Sequence, residues 1–181
     1  MKAKNKCVFL DRDGTIIVDG EYNADVNNLT FISGVIKGLK KLQNEGFLLV
    51  IITNQSGIAR GYNTENEVVT FNNLMVEKLK NSGVNISAVY YCPHLENGVV
   101  KKYAIKCNCR KPQKGMFLKA VETFNIDLTK SYAIGDKLRD MCICDGSGCK
   151  GYLISNSESE GEYYKCVTSF ENAVNLILGE L

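Results

Sequence analysis

The chain has 181 residues and a mass of 20.1 kDa, which is enough for one domain with its own core, and its 45% apolar and 23% charged residues exclude disordered, collagen-like and coiled-coil proteins. The net charge is +2 with both signs interspersed, so we predict no nucleic-acid partner. The longest apolar run, residues 47–52, is far shorter than a membrane-spanning helix, so we also predict no membrane association.

Five short apolar runs alternate along the chain with stretches of helical periodicity. The predicted strands are residues 7–10, 47–52, 86–91, 131–134 and 151–154. The predicted helices cover Val35 to Leu42, the residues after a capping box of Thr64 and Glu67, residues 116–124, and residues from about 170 to 178. Ser33 is predicted to cap the first helix and Ser169 the last. Because helices separate the strands, we predict an α/β fold, a Rossmann-like three-layer sandwich with a mostly parallel five-stranded sheet, as a single domain over residues 1–181.

Polar side chains follow three of the predicted strands. Asp11 and Asp13 follow the first, Thr53 ends the second, and Asp136 and Asp140 follow the fourth. The carboxyl ends of parallel strands meet at one edge of a sheet, so we expect these side chains to lie together. Paired carboxylates can bind Mg²⁺ and can divide the roles of nucleophile and general acid/base, which is the chemistry that phosphoryl transfer needs.

A second group of residues has the composition of a zinc site. The complete tetrahedral set of three thiolates and one imidazole is Cys92, His94, Cys107 and Cys109. A full set leaves no position for water, so we predict a structural Zn²⁺ that fixes the loop 92–109 and places Arg110 and Lys111 at the active site. His94 is the only histidine of the chain, and this predicted role leaves none for nucleophilic or general-base catalysis.

The eight cysteines also bear on the compartment. No apolar segment of the signal-peptide type precedes Asp11, so we expect a cytoplasmic protein whose thiols stay reduced. Cys142, Cys144 and Cys149 are interpreted as small buried hydrophobic residues, with a second metal site as the alternative. No apolar helix face lacks a place in the predicted core, so we expect a monomer.

The motifs resemble the haloacid dehalogenase superfamily of phosphatases. The resemblance rests on Asp-x-Asp-Gly-Thr at 11–15, Thr53, Lys111 and Gly-Asp-x-x-x-Asp at 135–140, which occur in the order expected for that superfamily. More narrowly, residues 53–61 and 109–112 look like the heptose 1,7-bisphosphate phosphatase branch. That branch carries the same zinc set.

The resemblance implies a role for each matched residue. Asp11 would attack phosphorus and form an aspartyl-phosphate, while Asp13 would protonate the leaving oxygen and then deprotonate water. Mg²⁺ would be held by Asp11, Asp136 and the backbone of Asp13, with Asp140 orienting the ligands. The groups that would bind the transferring phosphoryl group are Thr53 and Lys111.

The resemblance also implies the substrate, a small sugar bisphosphate. The expected reaction is the Mg²⁺-dependent removal of the C7 phosphate of D-glycero-D-manno-heptose 1,7-bisphosphate, which leaves heptose 1-phosphate. The predicted substrate contacts are Asp19, Tyr22, Asn54, Gln55, Ser56, Arg110 and Lys137. One alternative is histidinol-phosphate phosphatase, a sister branch whose zinc loop is shorter than the twelve residues between His94 and Cys107. An alternative of another class is a zinc-stabilised binding module without catalytic activity.

Overall fold

The computed structural model describes residues 4–20, 24–156 and 161–180 of the chain. The strands are β1 (Cys7–Leu10), β2 (Leu48–Asn54), β3 (Ala88–Cys92), β4 (Tyr132–Gly135), β5 (Lys150–Ile154) and β6 (Tyr164–Val167). The α-helices are α1 (Val35–Asn44), α2 (Glu65–Asn81), α3 (Gly115–Phe124) and α4 (Phe170–Gly179). Short 3₁₀ segments lie at Val26–Asn28, Leu128–Lys130 and Leu138–Ile143. Within the described ranges, every helix is too short or too polar to cross a bilayer.

All six strands run parallel in one sheet, in the order β3-β2-β1-β4-β5-β6. The chain adds strands on one side of β1 and then on the other, so the strand order changes direction at β1. Leu10, the last residue of β1, pairs with Ile51 of β2 and with Ile134 of β4. The residues that follow these three strands therefore emerge at one edge, where open α/β sheets bind their ligands. The predicted α/β class is confirmed.

The number of strands differs from the prediction, because β6 adds a sixth strand at the edge of the sheet. Of its four residues, Val167 is buried, Tyr164 and Cys166 are half-buried, and Lys165 is exposed. An edge strand contacts one neighbour only and does not need a continuous apolar run. The apolar signal that identified the other five strands is therefore missing from these four residues.

The helix caps agree with the prediction at two helices and differ at a third. Thr64 Oγ1 accepts a hydrogen bond from the Glu67 amide (3.2 Å), and Glu67 Oε2 accepts one from the Thr64 amide (2.6 Å), which confirms the capping box of α2. Ser169 caps α4 as predicted. The prediction of Ser33 as the cap of α1 is wrong, because Gly34 occupies that position with φ 82° and provides no side-chain cap.

Helices cover both faces of the sheet. Val8 and Leu10 of β1 belong to an apolar cluster with residues of α1, α2 and α4. Cys7 and Phe9, which point to the opposite face, belong to a second cluster with residues of α3. The predicted three-layer arrangement is thus confirmed, and it holds the strand ends that form the site in fixed positions.

Packing between α1 and α4 depends on a missing side chain at Gly38. A Cβ atom at this position would lie 2.9 Å from the Phe170 ring and 3.0 Å from Val174 Cγ2. Gly38→Ala is therefore expected to lower the free energy of unfolding by about 1–3 kcal/mol through overpacking, measured by urea denaturation. The matched control is Gly179→Ala, whose new methyl group meets no atom within 4 Å and which is expected to leave stability unchanged or higher. Equal effects of the two substitutions would contradict the packing argument.

Candidate active site

Lys111 lies at the centre of the polar edge of the sheet and is almost completely buried. Its Nζ donates hydrogen bonds to Asp11 Oδ1 (2.7 Å) and to the Ile52 carbonyl (2.6 Å), and it pairs with Asp140 Oδ1 at 2.7 Å. Burial lowers the pKa of Lys111, but the two carboxylates outweigh it and raise the pKa, so the side chain is charged. The predicted phosphate-binding lysine therefore contacts the predicted nucleophile directly.

Asp11 follows β1 directly, and its amide bonds to the Ile134 carbonyl of β4 (2.9 Å). Only 8% of the residue is exposed. Burial raises the pKa of the Asp11 carboxyl to about 7, and the charge of Asp140 adds to this effect, although Lys111 opposes it. A cation bound beside Asp11 would favour its ionised form.

Asp136 follows β4 and supplies an unusual buried oxygen. Its Oδ1 is buried without a hydrogen-bond partner among the residues described, while Oδ2 pairs with Lys137 Nζ at 2.8 Å. Carboxylate oxygens of Asp11, Asp136 and Asp140 all lie within 4.8 Å of one another. An unpartnered carboxylate oxygen in such a group fits a hard divalent cation, so these residues fit the Mg²⁺ that the sequence predicts.

Asp13 lies beside this acidic group and is half-buried. Gln55 Nε2 donates a hydrogen bond to Asp13 Oδ2 (2.8 Å) and is equally close to Thr53 Oγ1 (2.8 Å). The neighbouring Arg12 binds the same carboxylate with two of its nitrogens, at distances between 2.9 and 3.2 Å. The predicted acid/base thus lies next to the predicted phosphate-binding hydroxyl and is held from two sides.

Asn54 connects the site to the loop that carries Lys111. Its Oδ1 accepts a hydrogen bond from the Lys111 amide (3.0 Å), and its Nδ2 donates to the Lys111 carbonyl (3.1 Å). Both ends of the Asn54 amide are therefore engaged by the main chain of one residue. This arrangement fixes the backbone of Lys111 against the end of β2.

The four predicted zinc ligands converge. The Cys109 Sγ atom lies 3.0 Å from Cys92 Sγ, 3.3 Å from Cys107 Sγ and 3.2 Å from His94 Nδ1. Three sulfurs and one imidazole nitrogen within 4.8 Å of one another fit a single tetrahedral Zn²⁺. In the part of the chain that the structure describes, the other cysteines form no comparable group, and Cys144 and Cys149 pack in the second apolar cluster.

The loop that holds the four ligands is attached to the active site. The Gln55 amide bonds to the Cys92 carbonyl (2.8 Å), and Arg110 Nη1 bonds to the His94 carbonyl (3.3 Å). Arg110 is half-buried, and burial together with the like charges of Arg139 and Arg60 lowers its pKa. Several cations therefore share a small region beside the loop, which favours the binding of an anion there.

A cavity of about 600 Å³ joins these groups. Its lining includes both predicted catalytic residues and six of the seven predicted substrate contacts, which are Asp19, Asn54, Gln55, Ser56, Arg110 and Lys137. The seventh, Tyr22, lies outside the described residues. Sequence reasoning missed Arg12, Arg60 and Arg139, which also line the cavity. All three lie inside the motifs used for prediction, but their cavity positions become apparent only in the fold.

Comparisons with known proteins agree on the class of this site. A family model described as "Polynucleotide kinase 3 phosphatase" matches residues 6–176. A D-glycero-beta-D-manno-heptose-1,7-bisphosphate 7-phosphatase of Haemophilus ducreyi is 47% identical over 146 residues, covering 80% of each chain. The protein of the same name from Escherichia coli strain K12 is 47% identical over 134 residues, 74% of this chain and 70% of that one.

A solved structure is also similar over nearly the whole length. It is a D,D-heptose 1,7-bisphosphate phosphatase from B. bronchiseptica in complex with magnesium and phosphate. The two structures superpose with a TM-score of 0.83 at 25% sequence identity, over 97% of this chain and 99% of the other.

The buried carboxylate of Asp11 is expected to make the stability of the protein depend on pH. Its pKa in the folded protein, about 7, lies above its ordinary value of 3.8, so its contribution to stability is fully present below about pH 4 and is lost as the pH rises through 7. In metal-free buffer, Asp11→Asn is therefore expected to gain melting temperature relative to the wild type as the pH rises from about 5 to about 8.

Asp127→Asn is the control with the opposite sign. Hydrogen bonds from Thr129 hold the pKa of Asp127 below its ordinary value, so this substitution is expected to lower stability at neutral pH. A wild-type melting temperature that does not fall relative to Asp11→Asn as the pH rises would contradict the assignment for Asp11.

Proposed function

This chain belongs to the haloacid dehalogenase superfamily of phosphatases, in the family of the heptose-1,7-bisphosphate 7-phosphatases, and we propose that it removes the C7 phosphate of D-glycero-β-D-manno-heptose 1,7-bisphosphate. The products are heptose 1-phosphate and inorganic phosphate. The observation that carries this proposal is the environment of Asp11. Its buried carboxylate accepts a hydrogen bond from Lys111 at Oδ1 and lines the same cavity as Asp13. The β anomer is proposed because the relatives are named for it.

In the first half-reaction, the second carboxylate oxygen of Asp11 attacks phosphorus and the bond to the C7 oxygen breaks. Asp13 donates a proton to that leaving oxygen, so the sugar departs as an alcohol. Lys111 and Thr53 hold the phosphoryl oxygens, and Lys111 also neutralises charge next to the nucleophile. The first half-reaction leaves a phosphoryl group on Asp11 and an ionised Asp13.

In the second half-reaction, the ionised Asp13 accepts a proton from water, and the resulting hydroxide attacks the phosphorus of the aspartyl-phosphate. The bond to Asp11 breaks and restores both carboxyl groups to their starting states. Asp11, Asp136 and the Asp13 main chain would hold Mg²⁺, which supplies charge neutralisation for the phosphoryl group when bound. Asp140, which pairs with Lys111 and accepts the Lys137 amide (2.9 Å), would orient these groups.

The rim of the cavity supports a substrate with a second phosphate. Arg60, Arg110, Lys137 and Arg139 all line it, while Lys111 lies deeper and contacts Asp11. Arginine can bind a phosphate through two parallel hydrogen bonds. We infer that Arg110 and Lys137 contact the C1 phosphate while the C7 phosphate lies at Asp11, and that Asp19, Asn54, Gln55 and Ser56 line the sugar site.

We further propose that the chain acts as a single cytoplasmic domain and as a monomer. The support for the compartment is that none of the eight cysteines forms a disulfide, as is typical of proteins in a reducing compartment. The support for the single domain is that one sheet, with a core on each of its faces, includes elements from Cys7 to Gly179.

Phosphate release from a panel of esters tests the function. In Mg²⁺ buffer, the protein is expected to turn over heptose 1,7-bisphosphate at C7, with the β anomer preferred, and Asp11→Asn is expected to lower kcat by about 10³-fold or more because no nucleophile remains. Asp127→Asn serves as the control and should keep full activity, because Asp127 is not among the residues that line the cavity.

The panel also includes two other esters, and each has its own interpretation. Faster turnover of histidinol phosphate would indicate the sister branch, and faster turnover of a 3′-phosphorylated oligonucleotide would indicate a polynucleotide phosphatase. Release from none of the esters, together with tight binding of one, would indicate a non-catalytic binding module. Each of these three results contradicts the heptose assignment.

We propose that Cys92, His94, Cys107 and Cys109 hold one structural Zn²⁺. Cys107→Ser is expected to lose the zinc, to lower the melting temperature and to reduce turnover, because Arg110 and Lys111 follow the last ligand directly. Zinc content is measured by elemental analysis of the purified protein. Cys166→Ser on the edge strand β6 is the control and should retain one zinc per chain. Full zinc content in Cys107→Ser would contradict the assignment.

A further inference from the structure

We propose that Arg12 is the positioning residue that fixes the Asp13 carboxylate, and that Phe71 and Asn72 of α2 fix Arg12. The inference rests on the position of the Arg12 guanidinium group. It is fully buried and lies between the Asp13 carboxylate and helix α2, which is some sixty residues further along the chain. The inference rests on the acid–base role proposed for Asp13 and deepens it, because it names the residues that hold the carboxylate in place.

The contact between Arg12 and Asp13 uses two nitrogens on one carboxylate. Arg12 Nη2 donates to Asp13 Oδ1 at 2.9 Å, and Nε lies 3.2 Å from Oδ1 and 3.1 Å from Oδ2. Such a two-point contact defines the orientation of a carboxylate as well as its position, since a single hydrogen bond would allow it to rotate. The Arg12 side chain is 1% exposed and that of Asp13 is 26% exposed, so the fixed partner is the arginine.

Arg12 is itself held from the opposite side. Its Nη1 donates a hydrogen bond to Asn72 Oδ1 (2.8 Å), and its guanidinium carbon lies 4.9 Å from the centre of the Phe71 ring. A buried arginine is rare and needs partners that replace its hydration. Its main chain is fixed as well, because the Arg12 carbonyl accepts hydrogen bonds from the Ile16 and Ile17 amides (2.9 and 3.1 Å).

Two further groups among the described residues contact the Asp13 carboxylate. Gln55 Nε2 donates to Asp13 Oδ2 at 2.8 Å, and Thr53 Oγ1 lies 3.5 Å from the same oxygen. Without Arg12, the remaining side-chain hydrogen bonds from the described residues would reach only Oδ2, and the carboxylate could turn about its χ angles. A general acid has to lie within hydrogen-bond reach of the leaving oxygen, so this freedom would slow proton transfer.

Only one end of the Asn72 side-chain amide has a hydrogen-bond partner among the described residues. Its Oδ1 accepts from Arg12, but its Nδ2 is buried without a hydrogen-bond partner among the described residues. A buried unpaired amide N–H costs stability, so an apolar residue would serve the core better at this position on α2. The cost is accounted for if the Asn72 oxygen is needed to orient Arg12.

The test compares Asn72→Ala with Asn73→Ala, since Asn73 is the adjacent, exposed asparagine on the same helix. The quantity measured is kcat/KM for two substrates, an alkyl phosphate such as the heptose bisphosphate and p-nitrophenyl phosphate. The kcat/KM value reports the steps up to and including departure of the leaving group. A p-nitrophenolate can depart without receiving a proton, whereas a sugar alkoxide needs a proton from the general acid. A positioning role therefore predicts a selective loss on the alkyl phosphate.

Asn72→Ala is expected to lower kcat/KM for the alkyl phosphate by about 10-fold and Arg12→Gln by about 100-fold, with losses below about 3-fold on p-nitrophenyl phosphate. Asn73→Ala should match the wild type on both substrates. Leu79→Val, a core change on α2 away from Arg12, should lower the melting temperature without altering the ratio of the two kcat/KM values. Equal losses on both substrates, or no loss in Asn72→Ala, would overturn the inference.

A second measurement does not depend on turnover. In nitrogen-15 spectra, the Arg12 Nε–H proton is expected to exchange slowly with water in the wild type and in Asn73→Ala, and at least about 10-fold faster in Asn72→Ala. Unchanged exchange in Asn72→Ala would overturn the anchoring of Arg12 even if no ester were turned over. A wild type that hydrolyses no alkyl phosphate but shows the exchange difference would contradict the proposed function and support the anchoring.

Discussion

The buried ammonium group of Lys111 is the interaction on which the polar edge of this protein depends. It joins the carboxylate that follows β1, a carbonyl of β2 and the carboxylate of Asp140 after β4. Removing the lysine would leave two buried carboxylates without their counter-charge, which is among the most destabilising changes a core can suffer. The same contacts that make the site competent for phosphate chemistry therefore also link three strands to the loop before α3.

The carboxylates can approach one another only because two glycines leave room for them. A Cβ at Gly14, where φ is 77°, would lie 2.6 Å from Asp136 Oδ2, and one at Gly135 would lie 2.5 Å from Asp140 Oδ2. Neither distance is possible for a real side chain. Both acidic motifs therefore need a glycine for steric reasons. The missing side chain of Gly14 leaves room for the Asp136 carboxylate, and that of Gly135 leaves room for Asp140.

The features that the sequence could predict are those with a local signal. The first five strands have apolar runs and the capping box of Thr64 has a fixed spacing, and the structure confirms these local signals. Two features lack such a signal: β6, whose half-polar residues need only one neighbouring strand, and Arg12, whose environment is created by Asn72 across the fold. An arginine next to an aspartate in sequence would ordinarily be taken for a solvated pair, and only the packing of α2 shows that it is buried.

The residues proposed to select the substrate lie at the rim of the cavity, apart from the buried residues proposed to carry out the chemistry. The chemistry proposed for Asp11, Asp13 and Lys111 requires only a phosphate monoester, which is consistent with a family model described for a polynucleotide phosphatase and relatives named for a sugar bisphosphate. The cations of the rim are exposed or half-buried, and Arg110 donates a hydrogen bond to the carbonyl of His94, one of the proposed zinc ligands. A loop held by the proposed Zn²⁺ can change its rim residues while the buried centre stays the same, so we expect the choice of substrate to vary without cost to the core.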